Sequence, residues 1–394
     1  MLFEDARTKV QQFLSPLSVG DFLDRVLIGG FRSIPRPDDT GFKTELLGPS
    51  PQMTLLQAFH LAPQLTFHSA NPLGPPPSLE SVRDPADFRE RIEQFHERNY
   101  SVRFPDLRPL SPAVDSMARA LEVLLHQPVT VSAFWSNGPM RAPVHYDDHD
   151  LIVVQLRGTK RWYISSKPSE LNNPWRGIPA GSEVLGPHAT IDVSPGDMLY
   201  LPRGTLHSVD SDAESLHLSF GFTPLTVRAA LIAAIDHLSD LDPSLRVTIG
   251  NRLGFQLLGA GFERTLPVLA ESAAKVHSAI RTPGFLAAAL HRRSSRTLAA
   301  LKPLVPAAPV PAMDLNTVVT QTDMAFCHLT TTGEKIDFSY PGGHLYIHRG
   351  AEESLLYMVN TARFRIGDIP GDISDDIRLS LTSRLLEIGF LQGY

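Results

Sequence analysis

Apolar and polar positions change their spacing three times along this chain. Through the first 125 residues, short helical stretches mix with loops. The punctuation Asn71-Pro-Leu-Gly-Pro-Pro-Pro77 marks an irregular connection. Residues 84–99 carry the charge-rich periodicity of a surface helix, and 112–126 predict a helix with Val114, Met117, Ala118, Leu121 and Leu125 on one side.

From about residue 129 the spacing becomes that of strands. Val129–Trp135 is apolar and β-prone, while Asp150–Arg157 and Lys160–Ser165 flank Gly158-Thr159 and predict a tight hairpin. Thr190–Val193, Met198–Pro202, Leu206–Val209 and Ser215–Thr223 follow, divided by Pro-Gly-Asp and Pro-Arg-Gly turns. Short strands so closely spaced predict a sandwich or a small jelly-roll barrel. After Pro224 the pattern turns helical, with Ala- and Leu-rich stretches at Val227–Leu238, Glu263–Ile280 and Gly284–Leu301. Lys302 to Pro311 predicts a stiff proline-rich linker. Residues 314–394 predict a compact tail: strands around 335–348 with a Pro341-Gly-Gly turn, then helices near 351–360 and 374–388.

Composition narrows the class without choosing a function. A chain of 394 residues, 42% hydrophobic and 20% charged, can fill the cores of two or three soluble domains. A net charge of −6 argues against a broad nucleic-acid-binding surface. The tail carries 6 Lys/Arg against 11 Asp/Glu, so direct DNA binding is not expected of it. Cys327 is the only cysteine, which excludes an intramolecular disulfide and any multi-Cys zinc site. With no secretory pattern at the start and no long apolar run, the expectation is a cytoplasmic protein with no membrane association.

The chemistry concentrates at His145-Tyr146-Asp147 and at His207, which ends Gly-Asp-Met-Leu-Tyr-Leu-Pro-Arg-Gly-Thr-Leu-His. Side chains two apart on an extended strand share a face, so His145 and Asp147 can hold one ion together. His207 from a neighbouring strand would complete a facial set of two imidazoles and one carboxylate, the ligand set of non-haem Fe(II) oxygenases. His149 has three readings: a competing ligand, a partner behind the ligands, or a solvent-facing residue at the barrel mouth. The last two are favoured, since a facial set needs only three protein ligands. His217, in Ser215-Leu-His-Leu-Ser-Phe220, reads equally as a satisfied interior or rim histidine and as a support behind the ligands. Lys160 shares its parity with Trp162 and Ile164. It either snorkels from a hairpin end or points inward, where it needs an anion.

The stretch Pro143-Val-His-Tyr-Asp-Asp-His-Asp-Leu-Ile-Val-Val-Gln-Leu-Arg-Gly-Thr-Lys-Arg-Trp162, with Pro195 to His207 and Ser215 to Phe222, resembles the JmjC-type, cupin-like 2-oxoglutarate oxygenases. Among them it is most similar to the ribosomal oxygenases. The resemblance covers roughly residues 129–223 and implies that His145, Asp147 and His207 bind Fe(II). It also implies that Lys160, fifteen residues after the first His, binds the distal carboxylate of 2-oxoglutarate. Ser132 is offered as an assisting cosubstrate contact from its place on the Val129–Trp135 strand.

The implied fold is a mainly β catalytic domain, a double-stranded β-helix of cupin-like jelly-roll type with flanking helices, over residues 1–225. A helical dimerisation region over 226–302, a proline-rich linker over 303–313 and a winged-helix-like α+β domain over 314–394 would follow. The implied reaction uses Fe(II), 2-oxoglutarate and O2 to hydroxylate a protein or peptide side chain, with a ribosomal-protein Arg or His suggested, giving succinate and CO2 and acting as a homodimer. Two rivals stand beside it: the same chemistry on a tRNA base, natural-product peptide or small molecule, and a catalytically silent cupin-like binding module. His149 with Asp150, where relatives often carry an aliphatic followed by an acid, and the unmatched N-terminal 125 residues are expected to hold the substrate's identity.

Overall fold

The computed structural model describes residues 2–28, 30–37, 40–80, 82–167, 184–248, 260–305 and 313–393. The chain divides into two compact units, Met1–Pro224 and Leu225–Tyr394.

The first unit is built on two antiparallel sheets. The larger has seven strands in the order β1 (Arg32–Ile34), β9 (Met198–Leu201), β6 (Asp150–Arg157), β11 (Ser215–Phe222), β4 (Thr130–Ser136), β3 (Ser101–Phe104) and β2 (Thr66–His68). The smaller has four: β5 (Met140–Arg141), β10 (His207–Ser211), β7 (Lys160–Ser165) and β8 (His188–Val193). Side chains alternate across each strand, and both inner faces contribute to one core of Val153, Trp162, Ile164, Leu199, Leu201 and Val209. The outer face of the larger sheet is covered by the helices Leu2–Leu14 and Val19–Ile28. There Phe13 meets Phe220 edge-on at 5.2 Å, and Phe22 meets Tyr200 and Phe222 at 5.7 and 6.4 Å.

Two expectations are corrected here. Gly158-Thr159 does not close a hairpin: β6 pairs with β11 and β9, whereas β7 pairs with β10 and β8. The turn is a corner between sheets, and local turn chemistry cannot distinguish a return from a change of sheet. Gly158 sits at φ +61° with its missing Cβ 1.8 Å from the Glu214 carbonyl oxygen, so the corner needs glycine on two counts. The N-terminal region also holds more than helices and loops, because β1, β2 and β3 extend the large sheet at both edges. Each has only three or four residues, too short for periodicity to reveal.

The predicted helices form where capping permits. Asp84 accepts the amides of Ala86 and Asp87 ahead of Pro85–Glu97, and Ser111 accepts that of Val114 ahead of Pro112–Leu125. Val114, Met117, Ala118 and Leu121 of the second helix are buried as its pattern requires, while Leu125 is only partly so.

The second unit begins with the helices Val227–Leu241, Ala260–Ile280 and Pro283–Ala299. Two three-stranded sheets follow: β13 (His328–Thr332), β14 (Lys335–Tyr340) and β15 (Gly343–His348), then β16 (Arg363–Arg365), β12 (Val318–Gln321) and β17 (Leu391–Gly393). With the helices Glu352–Asn360 and Asp375–Glu387 they enclose Val319, Phe338, Leu355, Ile366, Leu385 and Phe390. Most of the expected proline-rich linker, residues 306–312, lies outside the described residues. Among those described, no helix is long and apolar enough to cross a membrane.

Candidate metal centre

The segment carrying His145 and Asp147 is not a regular strand, contrary to expectation. It runs irregularly from β5 to β6, and His145 forms an isolated antiparallel bridge to His207. The His145 amide donates to the His207 carbonyl at 3.0 Å, and the His207 amide returns the bond at 2.8 Å. The Gly204 amide donates to the Asp147 carbonyl at 2.8 Å. Main-chain bonds therefore hold the pair in place. Prolines at 139 and 143 lack the N–H that a continuous ladder would use.

The three side chains nonetheless converge. One donor atom from each of His145, Asp147 and His207 lies within 4.8 Å of the others. His207 Nε2 stands 3.6 Å from an Asp147 carboxylate oxygen. His145 Nδ1 contacts the Pro143 carbonyl at 2.8 Å, and His207 Nδ1 contacts that of Thr205 at 2.9 Å. A carbonyl can only accept, so each Nδ1 carries the proton and each Nε2 is left with a lone pair for a metal. Burial, with His145 alongside, lowers the His207 pKa to about 4, which keeps the ring neutral as a ligand must be. Two oriented neutral imidazoles and a carboxylate fit a divalent first-row metal, and this composition suits non-haem Fe(II).

Asp150 supports the site from below, which corrects the expectation that it helps read a substrate. It is 2% exposed, accepting the Tyr200 hydroxyl at 2.7 Å and the Arg203 amide at 2.9 Å. Those bonds anchor the turn from Pro202 that delivers His207. Burial raises the Asp150 pKa, and the same two bonds oppose the rise. His149 faces outward, paired with Asp148, and takes no part in the ligand set.

Lys160 is only 1% exposed, and burial lowers its pKa to about 7. Its Nζ donates to the Phe134 carbonyl at 3.4 Å, and no carboxylate among the described residues pairs with it. Of its two readings the structure selects the inward one. Register places Arg103, Phe134 and His217 side by side, and Ser132 opposite Ser219, on one face of the large sheet. Arg103 Nη2 donates to Ser132 Oγ at 3.0 Å, and its guanidinium carbon lies 6.0 Å from the Phe134 ring centroid. His217 stacks on Phe134 at 4.9 Å, and Trp162 touches both His217 and His207 at 5.5 Å. The lysine, the serine and the distal histidine thus belong to one aromatic-lined interior. His68 also faces it, 5.9 Å from Phe134; burial and then Lys160 bring its pKa to about 3.

His68 and Arg103 escaped the sequence reading because they lie on the short strands β2 and β3, outside any motif. Alternation along Val102-Arg-Phe104 was the one available signal, and three residues are too few to carry it.

Residues 111–230 match the JmjC domain family. The bifunctional lysine-specific demethylase and histidyl-hydroxylase NO66 of Drosophila persimilis is 39% identical over 77 residues, which is 19% of this chain and 11% of that protein. Ribosomal oxygenase 2 of Mus musculus is 26% identical over 138 residues, 34% of this chain and 30% of that one. The chain therefore matches less than a third of the length of either relative. The structure of Escherichia coli ribosomal oxygenase YcfD covers 96% of this chain and 98% of its own, with 16% identity and a TM-score of 0.53. Its complex with cobalt and 2-oxoglutarate gives a TM-score of 0.51 at 16% identity, covering 95% and 98%. Residues 111–230 thus match the JmjC domain family, and the chain as a whole is similar in fold to a ribosomal oxygenase.

Proposed function

We propose that this chain is an Fe(II)- and 2-oxoglutarate-dependent oxygenase that hydroxylates a protein side chain, with a ribosomal-protein Arg or His as the substrate class. One observation carries the reading. Two imidazoles oriented by backbone carbonyls converge with Asp147, in the same interior as a buried lysine that no described carboxylate neutralises. Bound iron and 2-oxoglutarate would supply the oxidation that converts a C–H bond to C–OH, with O2 consumed and succinate and CO2 formed.

The chain's own residues do the rest. His145, Asp147 and His207 would hold the ion on one side only, which leaves coordination positions for cosubstrate and O2. Lys160 would meet the distal carboxylate of 2-oxoglutarate, an anion that repays its burial. Ser132, tied to Arg103 on the facing sheet, would assist at that pocket. The apolar core around Val153, Ile164 and Leu199 would keep bulk water from a bound metal. The names of YcfD and ribosomal oxygenase 2 support the ribosomal-protein class, and that of NO66 supports histidine. By the same kinship residues 1–225 form the catalytic domain, the helices of 226–302 make a homodimer, and 314–394 act as a winged-helix-like module that orients substrate. The substrate class is compatible with a cytoplasmic location.

The test compares wild type with Asp147→Ala. Succinate formation should require Fe(II) and 2-oxoglutarate and vanish in the variant, and one ribosomal protein should gain the mass of a single oxygen only with the wild type. Undiminished turnover in Asp147→Ala would refute the mechanism. Failure of the wild type to bind metal or 2-oxoglutarate would make the chain a silent binding module instead.

A further inference from the structure

Lys160 is one of three nitrogen groups buried together. Trp162 lies two residues along the same strand and is 3% exposed; His217, on β11, is 4% exposed. The indole meets the His217 ring at 5.5 Å, and that ring stacks on Phe134, whose carbonyl takes the Lys160 ammonium. Trp162 Nε1 and His217 Nδ1 are both buried and have no hydrogen-bond partner among the described residues. Buried polar groups are almost always paired in folded proteins, so two unpaired nitrogens beside an unneutralised lysine mark a place built for something else. An indole N–H can only donate, and an ammonium has no lone pair. Burial, and then the nearby Lys160, hold His217 neutral, so its Nδ1 is free to carry a proton. The missing partner must accept several hydrogen bonds and bear negative charge, which describes a carboxylate.

We propose that Trp162 Nε1–H and His217 Nδ1–H complete, with Lys160, a three-donor cradle for the distal carboxylate of the 2-oxo acid. The proposal rests on the cosubstrate reading above and adds the residues that make it selective. A 2-oxo acid lacking the second carboxylate would leave all three donors unpaired, so the cradle discriminates against it.

Calorimetry on the Mn(II)-loaded protein, with 2-oxoglutarate and 2-oxobutanoate as ligands, tests this without turnover. Trp162→Phe keeps the ring over His207 and removes only the N–H. His217→Asn keeps an amide near the place of Nδ1, whereas His217→Gln moves it towards that of Nε2. Trp162→Phe and His217→Gln should each weaken 2-oxoglutarate roughly ten-fold or more and leave 2-oxobutanoate unchanged, with His217→Asn close to wild type. Equal losses for both ligands, no loss for either, or identical behaviour of the two His217 variants would overturn the cradle. A wild type that binds no 2-oxoglutarate would instead sink the cosubstrate reading, so the two failures are distinguishable. Thermal melts of the apo variants confirm that each is folded before titration.

Discussion

Replacing Lys160 with Met should make the metal-free protein more stable while destroying its grip on the cosubstrate. The ammonium is 1% exposed, its one described hydrogen bond is a long 3.4 Å contact to a carbonyl, and burial lowers its pKa from 10.5 to about 7. A shift of that size is worth roughly 4–5 kcal/mol, charged against the folded state. The sign follows from linkage: the folded pKa lies below the unfolded one, so the unfolded chain binds more protons between them. The penalty is complete below about pH 7 and fades as pH rises towards 10.5. Methionine fills similar space with no charge and no rigid shape. Allowing for the lost hydrogen bond and imperfect packing, Lys160→Met should gain about 2–3 kcal/mol at pH 6.5 and progressively less above pH 8. Trp135 and Trp162 both belong to the first unit, so urea denaturation followed by tryptophan fluorescence reports that unit. In parallel, 2-oxoglutarate affinity of the wild type should fall as pH rises above 7, because binding must then recharge the lysine, and Lys160→Met should show weak binding with no such slope. A variant less stable than wild type at pH 6.5, or one that binds 2-oxoglutarate normally, would refute the reasoning.

Other perturbations test the scaffold. Asp150→Ala strips the Tyr200 hydroxyl and Arg203 amide of their acceptor and should cost about 2–3 kcal/mol in urea titrations, with weakened Mn(II) binding because the turn feeding His207 loosens. Unaltered metal affinity would show that the turn holds His207 without Asp150. Gly158→Ala forces a Cβ to within 1.8 Å of the Glu214 carbonyl oxygen at φ +61°, so a loss of roughly 2 kcal/mol or more is expected in thermal melts. A neutral result there would mean that the corner between the sheets is softer than its packing implies.

Much of the site could be read from residue order, and the reason is local. His145, Asp147, Lys160 and His207 occur in short runs whose chemistry is distinctive, and strand parity put Lys160 on one face with Trp162 while leaving open whether the lysine snorkels or points inward. Errors arose where parity stopped applying. The His145–Asp147 segment leaves the regular strand after Met140-Arg141, so its convergence on His207 depends on backbone hydrogen bonds to residues about sixty positions away. Gly158-Thr159 has hairpin chemistry and turns a corner, since only the strands on either side decide which sheet each joins. Asp150 looked like part of the mouth, yet Tyr200 and Arg203 close over it.

By itself the sequence determined most of the longer elements and singled out His145, Asp147 and His207 as candidate ligands, with Lys160 as a candidate partner for an anion, because periodicity, turn residues and donor chemistry are properties of neighbouring positions. The tertiary structure alone decided that β2 and β3 join the large sheet, that Arg103 reaches Ser132, and that Trp162 and His217 bury nitrogens without a partner among the described residues. Those are contacts between segments far apart in the chain, created when two sheets close on each other and exclude water. No local pattern encodes which side chains will meet inside.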